Sequence, residues 1–115
     1  MKDFNGEIQY KGKEYHLVFN LNVMEAIQQE YGTIEKWGEL TDGQAGEPDA
    51  KAIIFGFREM LNEGIDIANE ENGTDDKPFT LKQVGRLITE VGIQEATAKL
   101  NETVIESTKS EEKNA

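Results

Sequence analysis

From Gly6 to Leu21 apolar and polar residues alternate with period two. Ile8 and Tyr10 share one face, and Tyr15, Leu17, Phe19 and Leu21 share one face beyond a break at Lys11-Gly12-Lys13. Glu7, Gln9, Glu14, His16 and Asn20 take the opposite side, so the segment reads as a β-hairpin with one apolar and one wet face. A lone hairpin is marginally stable in water, which requires helices over its apolar face.

The period then lengthens. Asn22 is placed to cap a helix in which Val23, Met24, Ile27 and Tyr31 form one stripe, and Gly32 to end it in a left-handed conformation. Thr33 caps a short turn from Ile34 to Trp37, and the run from Gly38 to Glu47 reads as a loop. Pro48 sits where a first-turn proline is tolerated, and Ile53, Ile54, Phe57, Leu61 and Ile65 recur at helical spacing to about Ala68. Gly56 and Gly64 weaken this longest helix and call for a packing reason or, at Gly64, an early end. Asn69 to Lys77 is a polar loop around Asn72-Gly73. Thr80 caps a helix carrying Leu81, Val84, Leu87, Ile88 and Val91, and Gly92 closes it. Ile93, Ala96, Leu100 and Val104 then mark a last helix to about Ser107.

The elements define an α+β chain that is mainly α: an N-terminal β-hairpin followed by four to five helices in one small domain. A length of 115 residues accommodates a single hydrophobic core, so residues 1–107 are assigned to one domain. The polar, charged segment 108–115 is expected to be disordered.

Charge narrows the partners. A formal net charge of -11 repels phosphate backbones and anionic lipids, so the expected partners are proteins, with neither nucleic acid nor membrane among them. No stretch approaches the roughly 18 apolar residues a membrane span needs, and the first residues lack an apolar leader core, so the expectation is a cytoplasmic protein. The absence of cysteine removes disulfides, thiolate metal ligands and thiol nucleophiles together.

Catalytic constellations are scarce. The serines are Ser107 and Ser110, both in the C-terminal end, and the sole histidine, His16, lies on the wet face of a strand without obvious co-ligands. The acidic run from Asn69 to Asp76 fails as a calcium loop, because placing Gly73 at the sixth position puts Ala68 and Phe79 where the first and twelfth ligands belong. No glycine-rich phosphate loop is present. The reading is therefore of a non-enzymatic protein with no catalytic residues, cofactor or metal.

Two stretches carry a family resemblance. From Tyr15 to Gly32 a hairpin strand leads into a helix with Met24, Ile27, Tyr31 and Gly32 at apolar, apolar, aromatic and glycine places. Phe79-Thr80-Leu81-Lys82-Gln83-Val84-Gly85-Arg86-Leu87-Ile88 forms a capped helix with a Val-Gly pair followed by Leu-Ile. Both resemble the small tail assembly chaperones of siphophages and gene transfer agents, in order and spacing from about Gly6 to Val104. Gln28 departs from an acidic residue often found there, and the loop from Asn69 to Lys77 is longer and more acidic than the family pattern.

The resemblance implies a bacteriophage or prophage morphogenesis factor in the host bacterial cytoplasm, absent from the mature virion. It would coat and solubilise the tape measure protein and help recruit tail tube protein, with self-association through its helices as a further expectation. The ending Glu111-Glu112-Lys113-Asn114-Ala115 resembles the short form that such genes make beside a frameshifted longer one. Client contact needs apolar residues beyond what one core uses. Those singled out are Trp37, Phe55, which lies off the Ile53-Phe57-Leu61 stripe, and the adjacent Val104 and Ile105, with ordinary core packing the competing reading for each. A different class, an acidic inhibitor or DNA mimic acting on a host nucleic-acid-binding protein, fits the same charge, although interleaved lysines such as Lys36 and Lys51 blur the required stripe. Third is an enzyme using paired carboxylates and a divalent metal.

Overall fold

A computed structural model describes residues 6–42 and 46–113, with side chains through residue 108. Strands β1 (Gly6–Tyr10) and β2 (Lys13–Leu17) form an antiparallel hairpin in which Gly6 faces Leu17 and Ile8 faces Tyr15. Both turn residues, Lys11 and Gly12, have positive φ, 52° and 77°, the combination that matches a two-residue turn to the twist of its strands. Helices α1 (Leu21–Tyr31), α2 (Ile34–Asp42), α3 (Ala50–Asn72), α4 (Leu81–Val91) and α5 (Ile93–Lys113) follow. The fold is α+β and mainly α, a hairpin followed by five helices.

β2 ends at Leu17 rather than continuing to Leu21. The Val18 amide donates to the carbonyl of Met60 (3.1 Å), which takes the chain off the hairpin and onto α3. The cap of α1 is accordingly Asn20, not Asn22: its side-chain oxygen accepts from the Val23 amide at 3.2 Å. Leu21 thereby becomes the first helical residue and lies 74% exposed, away from the apolar face assigned to it by alternation.

The segment read as a turn and loop after Thr33 is instead one helix to Asp42, and residues 43–45 lie outside those described. Thr33 accepts from the Lys36 amide (3.0 Å), and Trp37 and Thr41, four residues apart, bury the inward face. Gly38 is tolerated between them because packing outweighs its modest helix penalty. The proline placed at the start of α3 precedes the cap instead: Asp49 accepts from the Ala52 amide at 3.1 Å.

α3 packs against β2, α1, α2, α4 and α5, and two of its glycines explain how. A Cβ at Gly56 would overlap the indole of Trp37, and one at Gly64 would overlap the carbonyl oxygen of His16 in β2. Both are close-packing sites; neither ends the helix. α3 continues past Ala68 to Asn72 and stops at Gly73, whose φ of 66° suits a left-handed cap. The following loop is tied down by Asn69, which accepts from the Thr74 hydroxyl and the Asp76 amide and donates to the Asp76 carbonyl. Asp76 also pairs with Lys13 of the hairpin at 2.8 Å.

α4 starts as expected. Thr80 accepts from the Gln83 amide while the Gln83 side chain accepts from the Thr80 amide, a reciprocal cap. Just before it, Asn62 of α3 bonds both the amide and the carbonyl of Phe79 (2.8 and 3.0 Å), fixing α4 against α3. Ala96, Leu100 and Thr103 of α5 are buried, and α5 runs to Lys113, beyond the expected end near Ser107 and into the segment read as disordered. The core gathers Ile8 and Leu17 of the hairpin with Ile27, Phe57, Leu87 and Leu100 of the helices. Among the described residues, no helix is long and apolar enough to cross a membrane.

Candidate functional site

α4 has two unlike faces. Val84, Leu87 and Ile88 are buried, whereas Leu81, Lys82, Gly85, Arg86, Thr89 and Glu90 point outward at one-turn intervals and form one wall of an open groove. α3 supplies the other wall with Lys51, Ile54 and Phe55. The groove has a volume of about 1120 Å³, within reach of a helical segment and beyond what one buried ring needs.

The floor is apolar for identifiable reasons. Ile54 and Phe55 follow the buried Ile53 but lie a quarter-turn or more around α3, so they reach the edge of the core and stay half-buried. Phe55 is steadied edge-to-face by Tyr31 of α1, with centroids 5.7 Å apart. Gly85 brings no side chain, and a Cβ there would stand 3.7 Å from the Ile54 side chain, so its absence deepens the groove between α4 and α3. Thr89 turns its hydroxyl back to the Gly85 carbonyl at 2.8 Å, which leaves that donor satisfied within its own helix. Leu81, at the first position of α4, remains 47% exposed.

The rim has the opposite sign to the molecule. Among the residues lining the groove, Lys51, Lys82 and Arg86 are cationic and Glu90 alone is anionic, while the whole chain carries 12 basic and 23 acidic residues. Lys51 stands 4.0 Å from Glu30, a long and exposed pairing that is worth little. Lys82 and Arg86 have no ion-pair partner among the described residues.

The residues singled out from the sequence separate in space. Phe55 lies in the groove. Trp37 is a correction: it is 2% exposed, packs on Gly56 and donates from Nε1 to the Ala52 carbonyl at 3.0 Å, so no partner can reach it. Val104 is half-buried against the core, and Ile105 is 57% exposed on α5; neither lines the groove. The sequence reading missed Ile54, Leu81 and Gly85 as a surface, and missed the cations around them. A signal was present: Leu81, Lys82, Gly85 and Arg86 occupy one side of a helix whose other side is fully apolar.

No protein family, curated protein or solved structure matches the chain. A second polar cluster lies on the hairpin. Glu7 and Glu14 bring carboxylate oxygens beside His16, with all three candidate ligand atoms within 4.8 Å of one another, so His16 does have neighbours of the ligating type. They follow from strand geometry, since Glu7 is paired across from His16 and Glu14 is two residues before it on the same face. The His16 and Glu14 side chains are each 44% exposed and 3.8 Å apart, the ordinary setting of solvated polar groups on the wet face of a hairpin.

Proposed function

We propose that this protein is a non-enzymatic binding protein, a tail assembly chaperone that shields the tape measure protein and helps recruit tail tube protein in the host bacterial cytoplasm. The observation that carries the reading is the groove between α3 and α4, an open apolar surface on an otherwise strongly charged domain. A client rich in amphipathic helices needs such a surface to cover its apolar stripe, and the coated complex needs repelling charge outside to stay dispersed. A net charge of -11 serves the second need. The resemblance over Tyr15–Gly32 and Phe79–Ile88 supports the assignment to that kind of chaperone rather than to binding proteins at large.

The test is co-expression with a candidate tape measure protein. The expected outcome is that the client stays in the soluble fraction and co-elutes with the chaperone on size exclusion. A client that remains insoluble, with no complex eluting, overturns the reading.

A further inference from the structure

We infer that the α3–α4 groove takes one amphipathic helix of a partner protein whose apolar stripe is flanked by carboxylates. This deepens the chaperone reading by stating the chemistry of the client segment, and it rests on that reading only for the client's identity.

Three observations fix the occupant. First, Ile54, Phe55 and Leu81 line an open apolar trough with Gly85 at its bottom, so the surface it covers best is a ridge of apolar side chains. From Leu81 to Glu90 the α4 wall is about 14 Å long at 1.5 Å per residue, enough for two to three turns of a second helix. The occupant therefore presents apolar residues at i, i+3 or i+4, and i+7. Second, the cations stand on both walls: Lys82 and Arg86, one turn apart, on α4, and Lys51 on α3. The ridge is thus bordered by acidic residues on either side. Third, the rim runs against the net charge of the chain, so a cationic segment is repelled by the rim it would have to enter, whereas an acidic one meets its counter-charges there. A second copy of this chain would bring a whole domain of net charge -11 against another, a repulsion that three rim cations cannot offset, whereas a single helix brings only the few carboxylates that border its ridge.

The test uses the full chain and two fluorescein-labelled synthetic helical peptides with the same Leu ridge, one flanked by Glu and the other by Lys, read by fluorescence anisotropy. The Glu peptide binds, and the Lys peptide binds about tenfold more weakly or not at all. Lys82→Glu combined with Arg86→Glu, both on the outward face of α4 and so without consequence for folding, inverts the preference. Leu81→Ser weakens the Glu peptide while the far-ultraviolet circular dichroism spectrum and Tm stay close to those of the parent.

Equal binding of the two peptides, or a preference unmoved by the double charge reversal, overturns the proposal. So does sedimentation showing a dimer that the double reversal dissociates, because the groove then belongs to a second copy. Peptide binding with a negative co-expression result would remove the chaperone assignment and leave the groove's occupant standing. Client solubilisation without peptide binding would do the reverse.

Discussion

The indole of Trp37 fills the space that a side chain on Gly56 would occupy, and its Nε1 reaches past that glycine to the carbonyl of Ala52 at 3.0 Å. This contact joins α2 to α3 and turns a helix-weakening residue into a requirement. Alanine is the better helix former by about 1 kcal/mol, but overpacking against the indole costs about 1–3 kcal/mol, so Gly56→Ala is expected to lower stability by up to about 2 kcal/mol net. Gly38 in α2 faces open space, with nothing within 4 Å of the position a Cβ would take, so Gly38→Ala is expected to raise stability by about 0.5–1 kcal/mol. Urea denaturation of the two variants side by side checks both signs.

The hairpin depends on Gly64 in a different way. Its neighbour is the backbone carbonyl of His16, which cannot rotate aside as a side chain can. Gly64→Ala is expected to push β2 off α3 and break the bond from the Val18 amide to the Met60 carbonyl. Hydrogen exchange at Val18 should accelerate more than exchange in α4. Unchanged protection at Val18 would show that the strand has room to move.

Asn62 and Thr80 together set where α4 begins. Removing the two bonds from Asn62 to Phe79 by Asn62→Ala is expected to cost about 1–3 kcal/mol, since the Phe79 amide and carbonyl lose fixed partners. Thr80→Ala is expected to cost about 1 kcal/mol, with Thr80→Ser retaining most of the cap. Because α4 forms one wall of the groove, Asn62→Ala is also expected to weaken the acidic peptide. Thermal unfolding and anisotropy on the same samples check the pairing of the two effects.

The Tyr31 hydroxyl is buried without a hydrogen-bond partner among the described residues. Burial pushes its phenol above the ordinary value of 10.0, and the nearby carboxylates of Asp49 and Glu30 act in the same direction. The folded state therefore holds this proton more tightly than the unfolded chain. The associated stability is complete below pH 10.0 and is lost as pH rises through the higher folded value. Tyr31→Phe keeps the ring against Phe55 and is expected to match or exceed the parent at pH 7, with an advantage that widens above pH 10.0. Denaturation midpoints from pH 7 upward check the divergence.

Much of the architecture was legible in one sequence because its signals are local. Alternation around Lys11-Gly12 specified the hairpin, and Thr80 specified the start of α4. Boundaries failed where a distant partner intervened. The Met60 carbonyl drew Val18 out of the strand, and burial of Trp37 and Thr41 extended α2 through a stretch rich in loop formers.

By itself the sequence determined the hairpin, the helices α1, α3, α4 and α5 in their order, and the negative field, since each depends on periodicity, capping or summed charge, while α2 emerged only with the burial of Trp37 and Thr41. Only the tertiary structure decided which apolar residues stay uncovered. Trp37 and Phe55 looked alike along the chain, but Gly56 admits the first into the core, while the second stays at its rim. Gly85 then leaves a trough between α3 and α4, and the cations at 51, 82 and 86 meet around it. Exposure and proximity belong to the packing of one helix on another, and a periodicity confined to one helix carries neither.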